Sequence, residues 1–400
     1  MNYLREMSKL GHDMVMISQY RNDRAGTKIY GGGPPTELEK VEIHGLRSHG
    51  EEIANSGNPA DFESDIDQMV KLAETLHKTK PFDVVHAQYC YPNGMAALKI
   101  STKLKIPNVV SIQGGDGHWV GLCCSTHKSA MLAVLNHANL LIIGSDSFAD
   151  EVCKNHNLKK DRLLIIPGAI NSEDFKPLDP GKLGKLSKPA TLLYHGRVDR
   201  RKGILDLLMA LNLLKNSLPL RLIVSGIGPD LQSSMDLADK LKLNHMVEFT
   251  GKVEYSEVPN VYMSSDVFLS PTWSEGFSNT ILEAMSSGIP IIAARSVGVV
   301  DCIRHMENGL LHKPGKVEDL ADKIRLLIES PELRKKIALK AIDEVYSKYS
   351  WKKVALLLSR NIEKVLKMQP DEGWKSYYNP STRLQNADLD CKYRYEPHLL

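Results

Sequence analysis

The sequence predicts an α/β protein of two domains, each a doubly wound parallel sheet, with a cleft implied between them. Three observations carry that expectation. A chain of 400 residues is longer than one ordinary hydrophobic core organises. Short β-branched runs alternate with amphipathic helical stretches, the pattern of parallel strands joined by crossover helices. The alternation runs through one cycle, breaks at a Pro-, Gly- and Lys-rich stretch, and begins again.

In the first cycle "DMVMIS" (13–18), "DVVHA" (83–87), "PNVVSIQ" (107–113), "LLIIGS" (140–145) and "LLIIPG" (163–168) read as buried strands. Helical stretches such as "DIDQMVKLAETLHK" and "NGMAALKISTKLK" fall between them. The interruption, "DFKPLDPGKLGKLSKPA", is expected to be an interdomain linker centred near 176–189. The second cycle follows with "ATLLYHG" (190–196), "LRLIVSG" (220–226), "VEFTG" (247–251), "DVFLSPT" (266–272) and "IPIIAAR" (289–295). The domains are therefore expected at 1–177 and 178–350, with a helix at 351–368 rejoining the first. Residues 369–400 carry no period and are expected to be a disordered tail.

Composition narrows the function. Hydrophobic content of 42% and charged content of 25% fit a globular protein, and a net charge of +3 gives no reason to expect nucleic acid as a partner. No apolar run reaches the roughly 18 residues of a membrane span. The start, "MNYLREMSKLGHD", lacks the apolar core of a signal peptide. Cys90, Cys123, Cys124, Cys153, Cys302 and Cys391 form no C-x-x-C pair, so they read as reduced cytoplasmic thiols rather than a disulfide framework or a zinc site. The adjacent Cys123 and Cys124 are expected to be small packing residues.

The stretch "SEGFSNTILEAMSSGIP" (274–290) holds the first candidate chemistry. A loop leads into a helix that ends at Gly288, with Ser278 or Asn279 as N-cap. Gly276 allows close backbone approach, and the N–H groups of the first helical turn favour an anion. Glu275 stands beside that anion position and Glu283 lies further into the helix, both able to accept hydroxyl hydrogen bonds. An anion flanked by two polyol readers describes a sugar nucleotide. On spacing alone, an ordinary surface helix with solvated glutamates explains the pattern as well. In "YHGRVDRRKG" (194–203), a strand ends at Gly196, and Arg197 and Lys202 follow as two cations suited to a diphosphate. Arg200 and Arg201 are expected to be solvated.

Together these stretches resemble the retaining glycosyltransferases of family 4 (group 1), which have the GT-B fold of two Rossmann-like domains. "EGFSNTILEAMSSGIPIIA" looks like the family's E-x7-E signature, and "HGRVDRRKG" its phosphate loop. "IVSGIGP", "VEFTGKV", "IIPGAINSEDFKP" and "SVGVVDCIRHMENGLL" resemble further family segments in the right order, over nearly the whole chain to about 368. The resemblance implies that Arg197 and Lys202 bind the donor diphosphate and stabilise its departing charge. It implies that Glu283 holds the ribose and Glu275 contacts the donor sugar. The amides around Gly276, Phe277, Ser278 and Asn279 would hold sugar and phosphate, with Gly196 on the phosphate loop. Backbone near Lys252 and Val253 would face the base. Retention by front-face attack makes Glu275 a contact rather than an assigned nucleophile.

"DVVHAQYCYPNGMAAL" and "VVSIQGGDGHWVG" resemble a subgroup that builds cell-surface polysaccharides. Many relatives have a histidine where this chain has Gln113, which can donate a hydrogen bond but cannot carry a proton. His118 is not in register to replace it, while Gly114, Gly115 and Asp116 match, Asp116 as an acceptor-side or structural carboxylate. The family's first strand and Gly-rich loop have no counterpart here, because the chain starts inside the helix that follows them. "YGGGPP" (30–35) reads as a loop rather than a replacement. Asp65 and Asp67 two apart on a helix, and Asp388 and Asp390 in the tail, do not make a metal triplet. "GIG" (226–228) lacks the rest of a dinucleotide fingerprint.

The expectation is a cytoplasmic, metal-independent hexosyltransferase without a cofactor, which a lipid-linked acceptor would require to dock peripherally at the inner face of the membrane. Its donor would be a UDP- or GDP-linked sugar, and its acceptor a glycan or lipid-linked glycan. A sugar-nucleotide epimerase on the same fold and a non-catalytic sugar-nucleotide-binding paralogue are the alternatives.

Overall fold

A computed structural model describes residues 2–20, 35, 37–48 and 62–378. The chain divides into two compact units. Among the described residues, unit 1 comprises those up to 167 together with 352–378, and unit 2 comprises 168–351. "YGGGPP", apart from its last proline, lies outside the described residues, as do Asp388, Asp390 and Cys391.

Unit 1 begins with α1 (Asn2–Lys9), β1 (Met14–Tyr20), β2 (Val41–Arg47) and α2 (Phe62–Thr79). It continues as β3 (Val85–Gln88), α3 (Met95–Leu104), β4 (Asn108–Ile112), α4 (Ser125–His137), β5 (Leu140–Ile143), α5 (Asp146–His156) and β6 (Leu163–Ile165). The pairings between these strands are parallel. Among the described residues, β1 pairs with β2, and β3-β4-β5-β6 form a second sheet. Every residue of β4 is buried, which is why "NVVSI" carries no polar alternation. β2 was not legible in the sequence, because Gly45 interrupts its short alternation. Asp65 takes the Ser48 hydroxyl at 2.7 Å, while Asp67 turns to Lys99 at 3.2 Å.

Unit 2 follows the classical Rossmann order. Its elements are β7 (Ala190–His195), α6 (Ile204–Leu214), β8 (Leu220–Ser225), α7 (Leu231–Lys240), β9 (Val247–Gly251) and α8 (Val258–Met263). Next come β10 (Val267–Ser270), α9 (Asn279–Ser287), β11 (Ile291–Ala294), β12 (Leu310–His312), α10 (Val317–Glu329) and α11 (Pro331–Lys348). The six parallel strands run β12-β11-β10-β7-β8-β9. Both faces of this sheet are apolar, so neighbouring strand residues enter opposite cores: Leu192 with α6 and α10, Leu193 with α9 and α11. α6 buries Ile204, Leu207, Leu208, Leu211 and Leu214 at helical spacing, each worth about 1.5–3 kcal/mol of transfer free energy. β12, three residues long, gave too little pattern to be read from sequence.

Three expectations are corrected. The unit boundary falls at Pro167/Gly168, earlier than 177/178, and the stretch read as a linker is bonded into unit 2. There Leu178 N–H reaches Ser287 C=O at 3.0 Å, and Arg334 Nε reaches Gly184 C=O at 2.8 Å. α12 (Trp351–Val365) carries the chain back into unit 1, where His12 Nε2 lies 2.8 Å from Ser359 Oγ. Part of the tail expected to be disordered, residues 369–378, is ordered. Trp374 and Tyr378 are buried in unit 1, Trp374 Nε1 donates to Thr102 Oγ1 at 3.0 Å, and the Tyr378 hydroxyl donates to Glu63. Two buried aromatics anchor a segment too short to show a period.

The "ENG" stretch before β12 is architectural. Asn308, fully buried, donates to Cys302 C=O and to Glu344 Oε2, each at 2.9 Å, and accepts Arg304 N–H at 2.7 Å. Arg304 also grips Glu344 with both terminal nitrogens, and Lys348 reaches it at 2.6 Å. Burial alone would raise the Glu344 carboxyl, but Arg304 and Lys348 outweigh it and hold it at about 2 instead of 4.5. Asn308→Ala leaves three buried groups without this partner and should cost about 2–3 kcal/mol in urea unfolding; a loss below about 1 kcal/mol would mean water substitutes. Because the folded value is the lower one, the unfolded chain takes up more protons as pH falls. Stability from Glu344 should be complete above pH 4.5 and disappear toward about 2, and Glu344→Gln should flatten that decline.

Candidate functional site

The strand order of unit 2 reverses between β7 and β10, so the connections leaving their carboxyl ends diverge and open a crevice at that edge. Both candidate stretches leave those two strands.

The β7 connection carries Gly196, Arg197 and Lys202. It lies against the turn after β8 through Gly196 N–H to Ser225 C=O at 2.9 Å and Val198 N–H to Ile227 C=O at 2.9 Å. A Cβ on Gly226, whose φ is +142°, would stand 1.9 Å from Gly196 C=O, so only glycine permits this approach. The "GIG" glycines thus serve loop packing. Arg200 and Arg201 are expected from the sequence to be solvated; Arg200 is exposed and Arg201 is half-buried, and both are paired. Arg200 places Nη2 2.6 Å and Nε 3.0 Å from Asp230 Oδ1, and Arg201 places Nη2 2.6 Å from Asp199 Oδ2. Burial would raise the Asp199 carboxyl, but Arg201, with Arg197 alongside, holds it below its ordinary value. Arg197 Nε lies 3.5 Å from the same carboxylate.

The β10 connection is clamped on two sides. Trp273 N–H donates to Arg201 C=O at 2.9 Å, and its indole N–H donates to Asp206 Oδ2 at 2.8 Å. Glu275 N–H donates to Val297 C=O at 3.1 Å. Gly298, at φ +76°, packs so closely under this turn that a Cβ would come 2.3 Å from Glu275 C=O. Glu275 Oε1 meets Lys202 Nζ at 2.7 Å, so the structure joins the two candidate stretches through one half-buried ion pair.

Helix α9 starts at Asn279 behind a buried Ser278, whose hydroxyl lies 3.1 Å from Thr280 Oγ1 and does not cap the helix. Gly276 is buried, and Phe277 packs against the core beside Tyr349, ring centroids 5.8 Å apart. Glu283, further along α9, accepts the Tyr262 hydroxyl at 2.9 Å. Burial raises the Glu283 carboxyl to about 7, with the Tyr262 bond pulling the other way. Nothing in the residue pattern pointed to this tyrosine or to His195, whose Nδ1 lies 2.9 Å from Ser225 Oγ and which burial lowers to about 4. Val253 is half-buried against the α9 core, beside a surface pair of Lys252 and Glu254 at 3.1 Å.

In unit 1, Asp116 accepts Cys90 N–H at 2.8 Å and Gln113 N–H at 3.1 Å, tying together the turns after β3 and β4. Burial raises it to about 7 against the pull of those amides. Of the two roles expected for Asp116, this geometry is that of a structural carboxylate. Gln113 donates to Gln88 Oε1 at 2.8 Å, and Gln88 Nε2 reaches Ser111 Oγ at 3.3 Å. The same Ser111 hydroxyl lies 2.9 Å from Nε2 of His86, a histidine the sequence reading did not single out and which burial lowers to about 4. His118 is a structural residue, its Nδ1 2.6 Å from Glu151 Oε1 and its ring 4.6 Å from that of Phe148.

Comparison with known proteins agrees with this architecture. Residues 1–174 match the model of Glycosyltransferase Family 4, and residues 175–344 that of Glycosyl transferases group 1. The chain is 27% identical over 286 residues to an uncharacterised glycosyltransferase of Methanocaldococcus jannaschii, covering 68% of this chain and 73% of that one. It is 26% identical over 370 residues to the sulfoquinovosyl transferase SQD2 of Arabidopsis thaliana, covering 88% and 67%. Among solved structures it resembles sucrose-phosphate synthase of Thermosynechococcus elongatus, with TM-score 0.73, 19% identity and coverage of 90% and 92%. It also resembles HepE of Anabaena in complex with UDP, with TM-score 0.66, 18% identity and coverage of 81% and 87%. The chain is a glycosyltransferase of the GT-B fold, built from the family 4 and group 1 domains.

The clamp under Glu275 can be tested against Gly315, which also has positive φ (+68°) but open space around it. Gly315→Ala should cost only backbone strain, about 1 kcal/mol. Gly298→Ala adds a backbone collision and should cost at least about 1 kcal/mol more in denaturant unfolding. Equal losses would show that the turn gives way freely.

Proposed function

We propose that unit 2 binds a nucleoside diphosphate sugar at the β7–β10 switch point. We propose further that the chain transfers that sugar, with retention and without a metal, to a glycan or lipid-linked acceptor of a cell-surface polysaccharide. The observation that carries this reading is the convergence of a cationic loop, a helix N-terminus and two carboxylates at one strand-order reversal. Lys202 and Arg197 supply the positive charge that a departing diphosphate needs, and such groups act by stabilising charge as it develops. The amides opening α9 add donors on the same side. Glu283 is suited to accept ribose hydroxyls, and Glu275 to read the transferred sugar while holding Lys202 in place.

HepE of Anabaena, whose fold this chain shares, has been solved with UDP and with UDP-glucose, which makes UDP the first ligand to try. The relatives also include glycogen synthase of Mycobacterium tuberculosis, so donor sugar and acceptor are open choices within the family. Gln113 favours a second reading, a sugar-nucleotide-binding paralogue, because no proton can be carried at that position. An acceptor-dependent release of free nucleotide separates the enzyme from the binder. Among the described residues no helix is long and apolar enough to cross a membrane. A lipid-linked acceptor would therefore call for docking at the inner membrane face, which vesicle flotation tests.

Calorimetric titration with UDP, GDP and ADP should show one preferred nucleotide, and Glu283→Ala should weaken it by about 1–3 kcal/mol. Binding of none of the three would overturn the donor-site reading. Hydroxyl donors favour the charged form of Glu283, so ligand binding should expel a proton from a group that titrates near 7. Affinity should rise from pH 6 to pH 8, and Glu283→Gln should remove most of the rise. If the glutamine variant keeps the full slope, another group is responsible.

A further inference from the structure

We propose that Cys123, Cys124 and His127 of unit 1 form a binding site for a thiophilic divalent cation of the Zn2+ type. The two cysteines, expected to be packing residues, stand in a different setting. Cys123 closes a single helical turn at Gly121–Cys123, and Cys124 is the N-cap of α4. One turn into α4, His127 brings its Nδ1 to 3.0 Å from Cys123 Sγ and 3.2 Å from Cys124 Sγ. The three ligand atoms lie within 4.8 Å of one another.

The chemistry of this set is that of a zinc site. Zn–S bonds of about 2.3 Å and a Zn–N bond of about 2.0–2.1 Å at tetrahedral angles require S···N separations of about 3.5 Å. The observed distances need to open by only a few tenths of an ångström. Cys124 sits at the N-terminus of α4, where His127 N–H points at its Sγ at 3.5 Å and fixes its orientation. His127 is fully buried and its ring stands edge-on to Tyr91, centroids 4.9 Å apart, so the imidazole is held in place before any ion arrives. Both cysteines are partly exposed, which leaves a path for entry and room for water as a fourth ligand.

The site lies on the connection that leaves β4, the one carrying Gln113 and Asp116. A bound ion would pin the end of that connection to α4. This role is structural and does not depend on how unit 2 binds its ligand.

The test uses the full chain, reduced and stripped of metal with chelator. Titration with Co2+ should give a near-ultraviolet thiolate-to-cobalt charge-transfer band that saturates at one ion per chain. Zn2+ should displace the cobalt and raise the thermal midpoint, since binding to the folded state alone stabilises it. The Cys123→Ser/Cys124→Ser double variant keeps Cys90, Cys153, Cys302 and Cys391, and should lose the band and at least ~100-fold in Zn2+ affinity, no less than outer-shell changes cost elsewhere. Should the double variant fail to fold, Cys123→Ser alone, at a partly exposed position, should roughly halve the band. No charge-transfer band in the parent chain, or unchanged affinity in the serine variants, would overturn the proposal.

Discussion

The organisation of unit 2 depends on one topological constraint. In a parallel sheet of order β12-β11-β10-β7-β8-β9, the two strands that follow opposite winding directions are neighbours. The connections leaving β7 and β10 must diverge there, and backbone polar groups at that edge look outward rather than at each other. Everything at the candidate site elaborates that divergence. The β7 loop is braced by the β8 turn, the β10 loop by the turn at Gly298, and the Lys202–Glu275 pair spans from one to the other.

A consequence is that many charged groups near the crevice are not chemically available. Arg200 and Arg201 spend their charge on Asp230 and Asp199, fixing the shape of the β7 connection. Asn308 and Glu344 do comparable work behind β12. The four cations between Arg197 and Lys202 thus have distinct partners: Arg197 and Arg201 share Asp199, Arg200 takes Asp230, and Lys202 crosses to Glu275.

The sequence revealed the fold because a doubly covered parallel sheet demands long apolar strands, and such strands are legible one by one. "ATLLYH" and "IIAA" could hardly be anything else. It failed at β2 and β12, where a glycine or sheer brevity erases the period, and at Trp374 and Tyr378, which dock by two side chains rather than by a repeating face. The two glutamates and the cations were visible as spacing. Their partners were not: Tyr262 and His86 are ordinary aromatic and strand residues until the fold brings them to Glu283 and Ser111. The nearness of His127 to Cys123 and Cys124 was hidden for the same reason, since it is visible only once α4 is wound.

The return of α12 has a consequence for synthesis. Among the described residues, unit 2 is one uninterrupted stretch of chain, whereas unit 1 is assembled from segments on either side of it. His12 meets Ser359 across 347 positions, and Trp374 meets Thr102 across 272. A ribosome therefore delivers every part of unit 2 before it delivers the last pieces of unit 1. Closing such distant contacts is slow relative to local ones, and domains emerging from synthesis fold as they become complete. The domain whose first residues are made earliest is the one that finishes last, and its unfinished helix-binding surfaces are what a chaperone would meet.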